Sequence, residues 1–443
     1  MLISIFDKPT SMNQIIKGFS KLTRDEKTEI LKKHFQLPEN FVEILETFRH
    51  PTLQNLFDDF SENTLSNFYL PFGVAPNFLI DHKMYVVPMV VEESSVVAAA
   101  SRAASFWAEN GGFKTTIHNT LKKGHIWFKW NGPKSFFKDM TEGLEEMLRE
   151  AVAPLTTNME MRGGGIRSME VIPLEDQYGI FQLQVNFETV DSMGANFINS
   201  CLEEMKEPLL KFFNTNQDFK QYGDTRIIMA ILSNYTTECL VTSTVECPID
   251  ALSAFSEGLE PAEFAQRFKQ ATDIALADTS RAVTHNKGIF NGTDAVVIAT
   301  GNDFRAAEAA GHAWAAKDGF YRSLSSCEIT ENATFKMEVT LPLALGTVGG
   351  LTRLHPMASL ALEMLGNPSA GELMGIAAAA GLANNFSALA SLVTTGIQKG
   401  HMKLHLSNLL NSLNATAEEK ETAMEYFKDK TVSALEVKKF LKR

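Results

Sequence analysis

Several reactive side chains of this 443-residue sequence stand where chemistry is possible. Lys287 lies in Thr-His-Asn-Lys-Gly-Ile-Phe-Asn-Gly, residues 284–292. Its company of Asn286, Gly288, Asn291 and Gly292 predicts a close-fitting polar turn rather than a solvated surface face. Glu92 and Glu93 adjoin a β-rich run, residues 84–91, and precede a helical pattern that starts at Val96. Such a pair suits a helix N-terminus, whose dipole favours anions. It also suits a cleft at a strand end, where burial keeps an acid protonated. Asp303 follows Gly301-Asn302 and precedes an Ala-rich helical pattern, so its simplest role is to cap that helix. His401 and His405 are four apart and share a helix face, but no glutamate follows His401 in the HExxH manner and no third ligand accompanies them. No metal is expected.

The elements that must position these groups are read from periodicity. Residues 295–300 form a short apolar or β-branched run, which predicts a buried strand before the helix that Asp303 opens. Apolar Val96, Val97, Ala100, Ala103, Ala104 and Trp107 give a helix ended by Asn110-Gly111. Thr23-Arg-Asp-Glu26 is a capping box, a second helix is expected over 41–48, and residues 70–78 read as irregular backbone. Between residues 116 and 234 the pattern becomes strand, helix, strand. There Phe181, Leu183, Val185 and Phe187 alternate with polar neighbours as in a half-solvated strand. Gly194 opens the following helix, where backbone N–H groups come close to an anion. The uncharged run 373–398 predicts a buried core helix with a break rather than a membrane span, because alanines, serines and paired asparagines dilute it.

Composition narrows the classes further. With 44% hydrophobic and 21% charged residues, the chain suits a soluble protein of two or more domains. A net charge of −12 without a basic block argues against a nucleic-acid footprint. The first residues lack the basic and apolar regions of a secretory signal. Cys201, Cys239, Cys247 and Cys327 show no paired spacing, so reduced thiols and a cytoplasmic location are expected. No GxGxxG or GxxxxGK[ST] occurs, which removes the basis for a Rossmann or P-loop reading.

Five motifs in one order resemble the class II hydroxymethylglutaryl-CoA reductases of bacterial soluble type. They are Met-Val-Val-Glu-Glu-Ser-Ser (89–95), Asp-Ser-Met-Gly-Ala-Asn (191–196), residues 284–292, Ala-Thr-Gly-Asn-Asp (299–303) and Gly-His-Met-Lys-Leu-His (400–405). The resemblance implies an α+β fold: a large mixed α/β substrate domain, an inserted small non-Rossmann nucleotide-binding domain and a helical C-terminal flap. The expected boundaries are 1–115 and 235–393 for the large domain, 116–234 for the small one and 394–443 for the flap. It implies Glu93, Lys287, Asp303 and His401 as catalytic residues. Arg281, Ser95, Asn291 and Asn384 are then expected at the substrate. Asp191, Met193, Gly194, Asn196, Asn234 and Thr156 are expected at the dinucleotide. In that scheme Lys287 steadies the oxyanion, His401 protonates the thiolate, a buried Glu93 supplies a proton, Asp303 tunes both through shared hydrogen bonds and Asn291 positions the lysine.

The implied reaction converts 3-hydroxy-3-methylglutaryl-CoA (HMG-CoA) to mevalonate and coenzyme A in two hydride transfers, reversibly, within a homodimer or higher multiple whose sites lie between subunits. NADPH is expected ahead of NADH, because Thr156 stands where NAD-preferring relatives carry an aspartate. Ser94, where the family usually has proline, Asn384, where it has glutamine, and Ser66 depart from the pattern. They motivate the rival reading, a non-catalytic CoA-ester-binding or regulatory homologue.

Overall fold

The computed structural model describes residues 15–35, 37–137, 141–174, 179–394, 396, 406–407, 409–428, 430 and 432–442. The chain divides into two compact units, Met1–Pro71 and Phe72–Arg443. In the first, helix α1 (Arg24–His34) opens on the expected capping box, in which the Thr23 and Glu26 side chains each accept the other residue's backbone N–H. Helices α2 (Phe41–Thr47) and α3 (Gln54–Asp58) follow. Arg24 and Arg49 both donate to the Leu65 carbonyl, and their ion pairs reach Glu46 and Asp58.

The second unit begins with an antiparallel hairpin of β1 (Phe72–Ile80) and β2 (Lys83–Val90). Residues 72–78 are therefore strand, where composition had predicted irregular backbone. The register shift between Ala75 and Phe78 absorbs Pro76, which lacks a ladder N–H. Helix α4 (Val96–Glu109) buries Ala100, Ala103, Ala104 and Trp107, the stripe the periodicity predicts. Next come β3 (Lys114–Ile117), β4 (Lys122–Lys129), α5 (Thr141–Glu160), β5 (Gly165–Pro173), β6 (Ile180–Glu188), α6 (Ala195–Thr215), the single turn α7 (Gln217–Lys220) and β7 (Arg226–Ser233). The chain continues through β8 (Leu240–Pro248), α8 (Pro261–Ala277), α9 (Thr279–Ala299), α10 (Phe304–Ala315), β9 (Ser325–Ile329) and β10 (Thr334–Pro342). It then runs through α11 (Leu351–Leu354), α12 (Pro356–Met364), α13 (Ala370–Val393), α14 (Ala417–Tyr426) and α15 (Ala434–Phe440).

Two antiparallel four-stranded sheets result, in the orders β3-β8-β10-β9 and β5-β6-β4-β7. The second has its own core, formed by residues such as Ile126, Phe128, Leu148, Leu183, Val185 and Leu202, with Phe181, Leu183, Val185 and Phe187 inward as expected. The larger core surrounds α13, which is buried along almost its whole length. The expected break in α13 does not occur. Ser325 Oγ donates to Asn385 Oδ1, while the amides of Asn384 and Asn385 donate to the carbonyls of Ala380 and His285, so the paired asparagines are accommodated inside a continuous helix. Leu406, Leu410, Ala423, Phe427, Val437 and Leu441 build a small separate cluster with α14 and α15.

Candidate functional site

Lys287 lies on α9, a 21-residue helix, not in a turn, and residues 295–300 are the end of that helix rather than a strand. Asp278 caps it by accepting the Arg281 N–H at 2.7 Å. Gly292 serves packing, as does Gly381 on α13. A Cβ at Gly292 would stand 2.2 Å from the Ala380 carbonyl oxygen, and one at Gly381 would stand 2.4 Å from Thr293 Oγ1. Only hydrogen at both positions lets α9 and α13 cross this closely. Tertiary packing thus overrides the weak helix propensity of Asn and Gly.

Helical geometry then sets Arg281, Thr284, Lys287, Gly288 and Asn291 along one polar stripe, while Ala282, His285, Ile289 and Phe290 are buried on the other side. Nothing lies within 4 Å of where a Gly288 Cβ would be, so the stripe has an open floor beside Lys287. The Lys287 ammonium donates to Glu93 Oε2, although 194 residues separate them. Glu93 stands between β2 and α4, as expected. Its side chain is 40% exposed and that of Lys287 is 59% exposed, so within one chain the acid is not buried as the sequence reading expects. Two residues on, Ser95 caps α4 in the left-handed region at φ 73°, which costs a non-glycine residue about 1 kcal/mol and turns the chain sharply after the acid.

Asp303 is the cap of α10. Its Oδ1 accepts the N–H groups of Arg305 (3.0 Å) and Ala306 (3.2 Å), and the Arg305 guanidinium also reaches the carboxylate. Among the described residues the expected hydrogen bonds from Asp303 to Lys287 and Glu93 are not formed, because the cap holds the carboxylate toward its own helix. Asn291 shares the stripe with Lys287, one helical turn on, without hydrogen-bonding to it. Partial burial lowers the pKa of Arg281, which keeps its charge as a guanidinium does. Asn384 is 5% exposed beneath Gly292, which places it behind the open stripe. His401 and His405 lie outside the described residues.

The second group of expected residues gathers at the start of α6. Gly194, left-handed at φ 84°, precedes the first helical residue, and no side chain caps this end. Met193, Ala195, Ser233 and Asn234 line a narrow cleft with Lys122, Ala306 and Ala307, which places the start of α6 opposite the first turn of α10. Asn196 is exposed on the first turn of α6. Asp191 is engaged elsewhere: its Oδ1 accepts the Ala370 N–H at 2.8 Å and its carbonyl accepts the Thr347 N–H at 2.8 Å. Thr156 is only 2% exposed on α5. Its side chain faces the protein interior rather than an open cleft.

A family model described as hydroxymethylglutaryl-coenzyme A reductase matches residues 23–406. The chain belongs to this reductase family. An Archaeoglobus fulgidus 3-hydroxy-3-methylglutaryl-coenzyme A reductase is 34% identical over 94% of this chain and 91% of its own length. A Borreliella burgdorferi protein described as a probable reductase of the same name is 32% identical over 95% of this chain and 93% of its own. A solved Streptococcus pneumoniae reductase superposes with a TM-score of 0.71 at 36% identity, covering 85% of this chain and 99% of its own. A class II reductase structure from that organism, bound to NADPH, gives a TM-score of 0.71 at 35% identity and the same coverage.

A reductase of this family needs a dinucleotide, and the residues present fit one. The uncapped N-terminus of α6 offers backbone N–H groups to an anion. Lys122, 3% exposed and without an ion pair among the described residues, supplies a cation in the same cleft. Sequence reasoning missed this lysine, since nothing distinguishes Lys122 from Lys123 except the strand register. It also missed a half-buried carboxyl pair, Asp294 on α9 and Glu308 on α10. Burial first, and the nearby Glu308 second, push the Asp294 carboxyl up to about 8. Behind Lys287, His285 Nε2 lies 2.6 Å from Ser325 Oγ, and burial together with Arg281 lowers its pKa to about 3, which keeps the ring neutral.

Proposed function

We propose that the chain reduces HMG-CoA to mevalonate and coenzyme A with NADPH, or NADH, as the reductant, and that the active residues are Glu93, Lys287, Asp303 and His401. The observation that carries this reading is the Lys287–Glu93 pair, formed on an open polar stripe that also holds Arg281 and Asn291. When bound, the reduced dinucleotide supplies the hydride for each of the two reductions. Met193, Gly194, Asn196 and Asn234 would hold it, with Lys122 facing its negative charge and Asp191 fixing the turn.

Addition to the thioester carbonyl leaves a negative oxygen, and Lys287 stabilises it. One such donor in a preorganised site contributes about 3–4 kcal/mol. Collapse breaks the C–S bond, and His401 protonates the departing thiolate, a step worth roughly 10²–10⁴ in rate. Glu93, in contact with Lys287, delivers the proton that the mevaldehyde oxygen gains in the second reduction. Asp303 holds α10 in place against the dinucleotide cleft. Arg281 receives the free carboxylate of the substrate, where a guanidinium makes paired hydrogen bonds, and Ser95 and Asn291 border the same space.

The separate hydrophobic core around Ile126 and Leu183 supports residues 116–234 as the inserted nucleotide-binding domain, with 1–115 and 235–393 as the substrate domain and 394–443 as the flap. A homodimer is supported by α12. Its inner face buries Ala358, Ala361 and Leu362, while Met357, Leu360 and Met364 form an exposed apolar patch on its outer side, and such a patch suits a subunit contact. The proposed location is the cytoplasm.

The deciding experiment mixes purified protein with HMG-CoA and NADPH or NADH and follows loss of nicotinamide absorbance. Turnover with appearance of free thiol is expected; no turnover with either dinucleotide overturns the proposal. His401→Ala is expected to impair thioester reduction more than mevaldehyde reduction, and equal losses would contradict the role given to it.

A further inference from the structure

We propose that Asn302 is a positioning residue, whose carboxamide ties the Asp303 turn to the turn that opens α6 and thereby sets where a dinucleotide lies relative to Lys287. The inference rests on the reductase reading for its ligand and on geometry for the tie. The Gly346 N–H donates to Asn302 Oδ1 at 2.8 Å, and Asn302 Nδ2 donates to the Gly346 carbonyl at 3.0 Å. Two antiparallel bonds between one side-chain amide and one residue's backbone fix distance and rotation together, as a ladder pair does in a sheet. Thr300 Oγ1 accepts from the same Nδ2 at 3.1 Å, which stops the amide from flipping.

Gly346 carries the tie onward. A Cβ there would stand 2.4 Å from Met193 N and 3.0 Å from Ser192 C, so the two backbones lie in direct contact. The next residues complete it: Thr347 and Val348 donate their N–H groups to the Asp191 carbonyl, at 2.8 and 3.3 Å. Asp191 Oδ1 in turn accepts from Ala370 N at the start of α13. Hence the Asp303 turn, residues 346–348, the opening of α6 and the start of α13 form one hydrogen-bonded strap. Asn302 is its only side-chain link to the catalytic turn among the described residues. Aspartate at this position keeps the Oδ1 acceptor, loses the Nδ2 donor and places negative charge against the Gly346 carbonyl. The α6 turn then loses its rotational lock, while Lys287, Glu93 and Arg281 on α9 and β2–α4 remain as they are.

The test uses the full chain with Asn302→Asp and the milder Asn302→Ala. Titration of NADPH fluorescence without CoA ester is expected to show at least tenfold weaker binding in either variant. Turnover should fall at least tenfold while KM for HMG-CoA stays within twofold, a split that general loss of structure would not give. Unchanged NADPH affinity in a variant with native circular dichroism, or equal losses toward both substrates, overturns the inference. If neither variant folds, amide exchange on the wild type decides: NADPH is expected to slow exchange at Gly346 and Thr347, and no slowing overturns it. Failure of the wild type to turn over HMG-CoA sinks the reductase reading instead, and the exchange measurement still reports on the strap.

Discussion

Replacing single glycines of α9 by alanine separates its packing from its chemistry. At Gly292 the new Cβ would stand 2.2 Å from Ala380 O, 2.6 Å from Ala380 C and 2.7 Å from Asn384 Nδ2, and the first two belong to the backbone of α13. Ordinary contact needs more than 3.4 Å, so the helices must part by roughly 1 Å in a close-packed core. Overpacking of this kind costs about 1–3 kcal/mol, against a helix-propensity gain of up to about 1 kcal/mol. Because backbone cannot swing aside, Gly292→Ala is expected to lose about 1–2 kcal/mol. At Gly288 nothing lies within 4 Å of the new methyl, so only the propensity gain of about 0.5–1 kcal/mol remains. The two variants, one turn apart on one helix, should therefore differ by about 2 kcal/mol in opposite directions in urea denaturation followed by circular dichroism. Activity should separate them differently. Gly288→Ala, with a methyl beside Lys287, is expected to raise KM for the CoA ester although it is the more stable protein. Equal stability of the two variants would refute the close-crossing account of Gly292.

Lys287→Met should lower kcat by roughly 10²–10³ with native circular dichroism, and retention of more than a tenth of the activity would contradict its role at the oxyanion. The Asp294 carboxyl, raised to about 8, holds its proton in the folded chain while the unfolded chain ionises near 3.8. Its stability contribution is full below about pH 4 and is lost as pH climbs toward 8. Asp294→Asn should then show a gain over the parent in urea melts that grows from pH 5 to pH 8, and a flat difference would refute this. For His285, lowered to about 3, the sign reverses: stability is full above about pH 6.5 and falls below it, so His285 should show no imidazolium signal by NMR at pH 5. Leu360→Glu on the outer face of α12 should shift the sedimentation profile toward monomer, and an unchanged profile would remove that face from the interface.

Local patterns carried much of the architecture. The alternation of Phe181, Leu183, Val185 and Phe187 marked β6, and the stripe from Val96 to Trp107 marked α4, because each element buries one face of an otherwise polar segment. Thr23-Glu26 and Asp303 announced their helices through capping chemistry, which is local by nature. Reading α9 as turn and strand failed for the converse reason. Its asparagines and glycines weaken a helix in isolation, and only the neighbouring α13 makes Gly292 an advantage. The pairing of Pro76 into β1 likewise depends on a bulge that the partner strand permits.

By itself the sequence determined which groups are available for chemistry, in an order that resembles the reductase family. It did not determine how those groups meet. That Lys287 reaches Glu93 across 194 residues and that Asn302 grips Gly346 are consequences of where α9 and the 344–348 segment come to rest. Side-chain type is written residue by residue, whereas a hydrogen bond needs two backbones fixed to within a few tenths of an ångström. For α9, which carries Lys287, its crossing upon the buried α13 fixes one of them so.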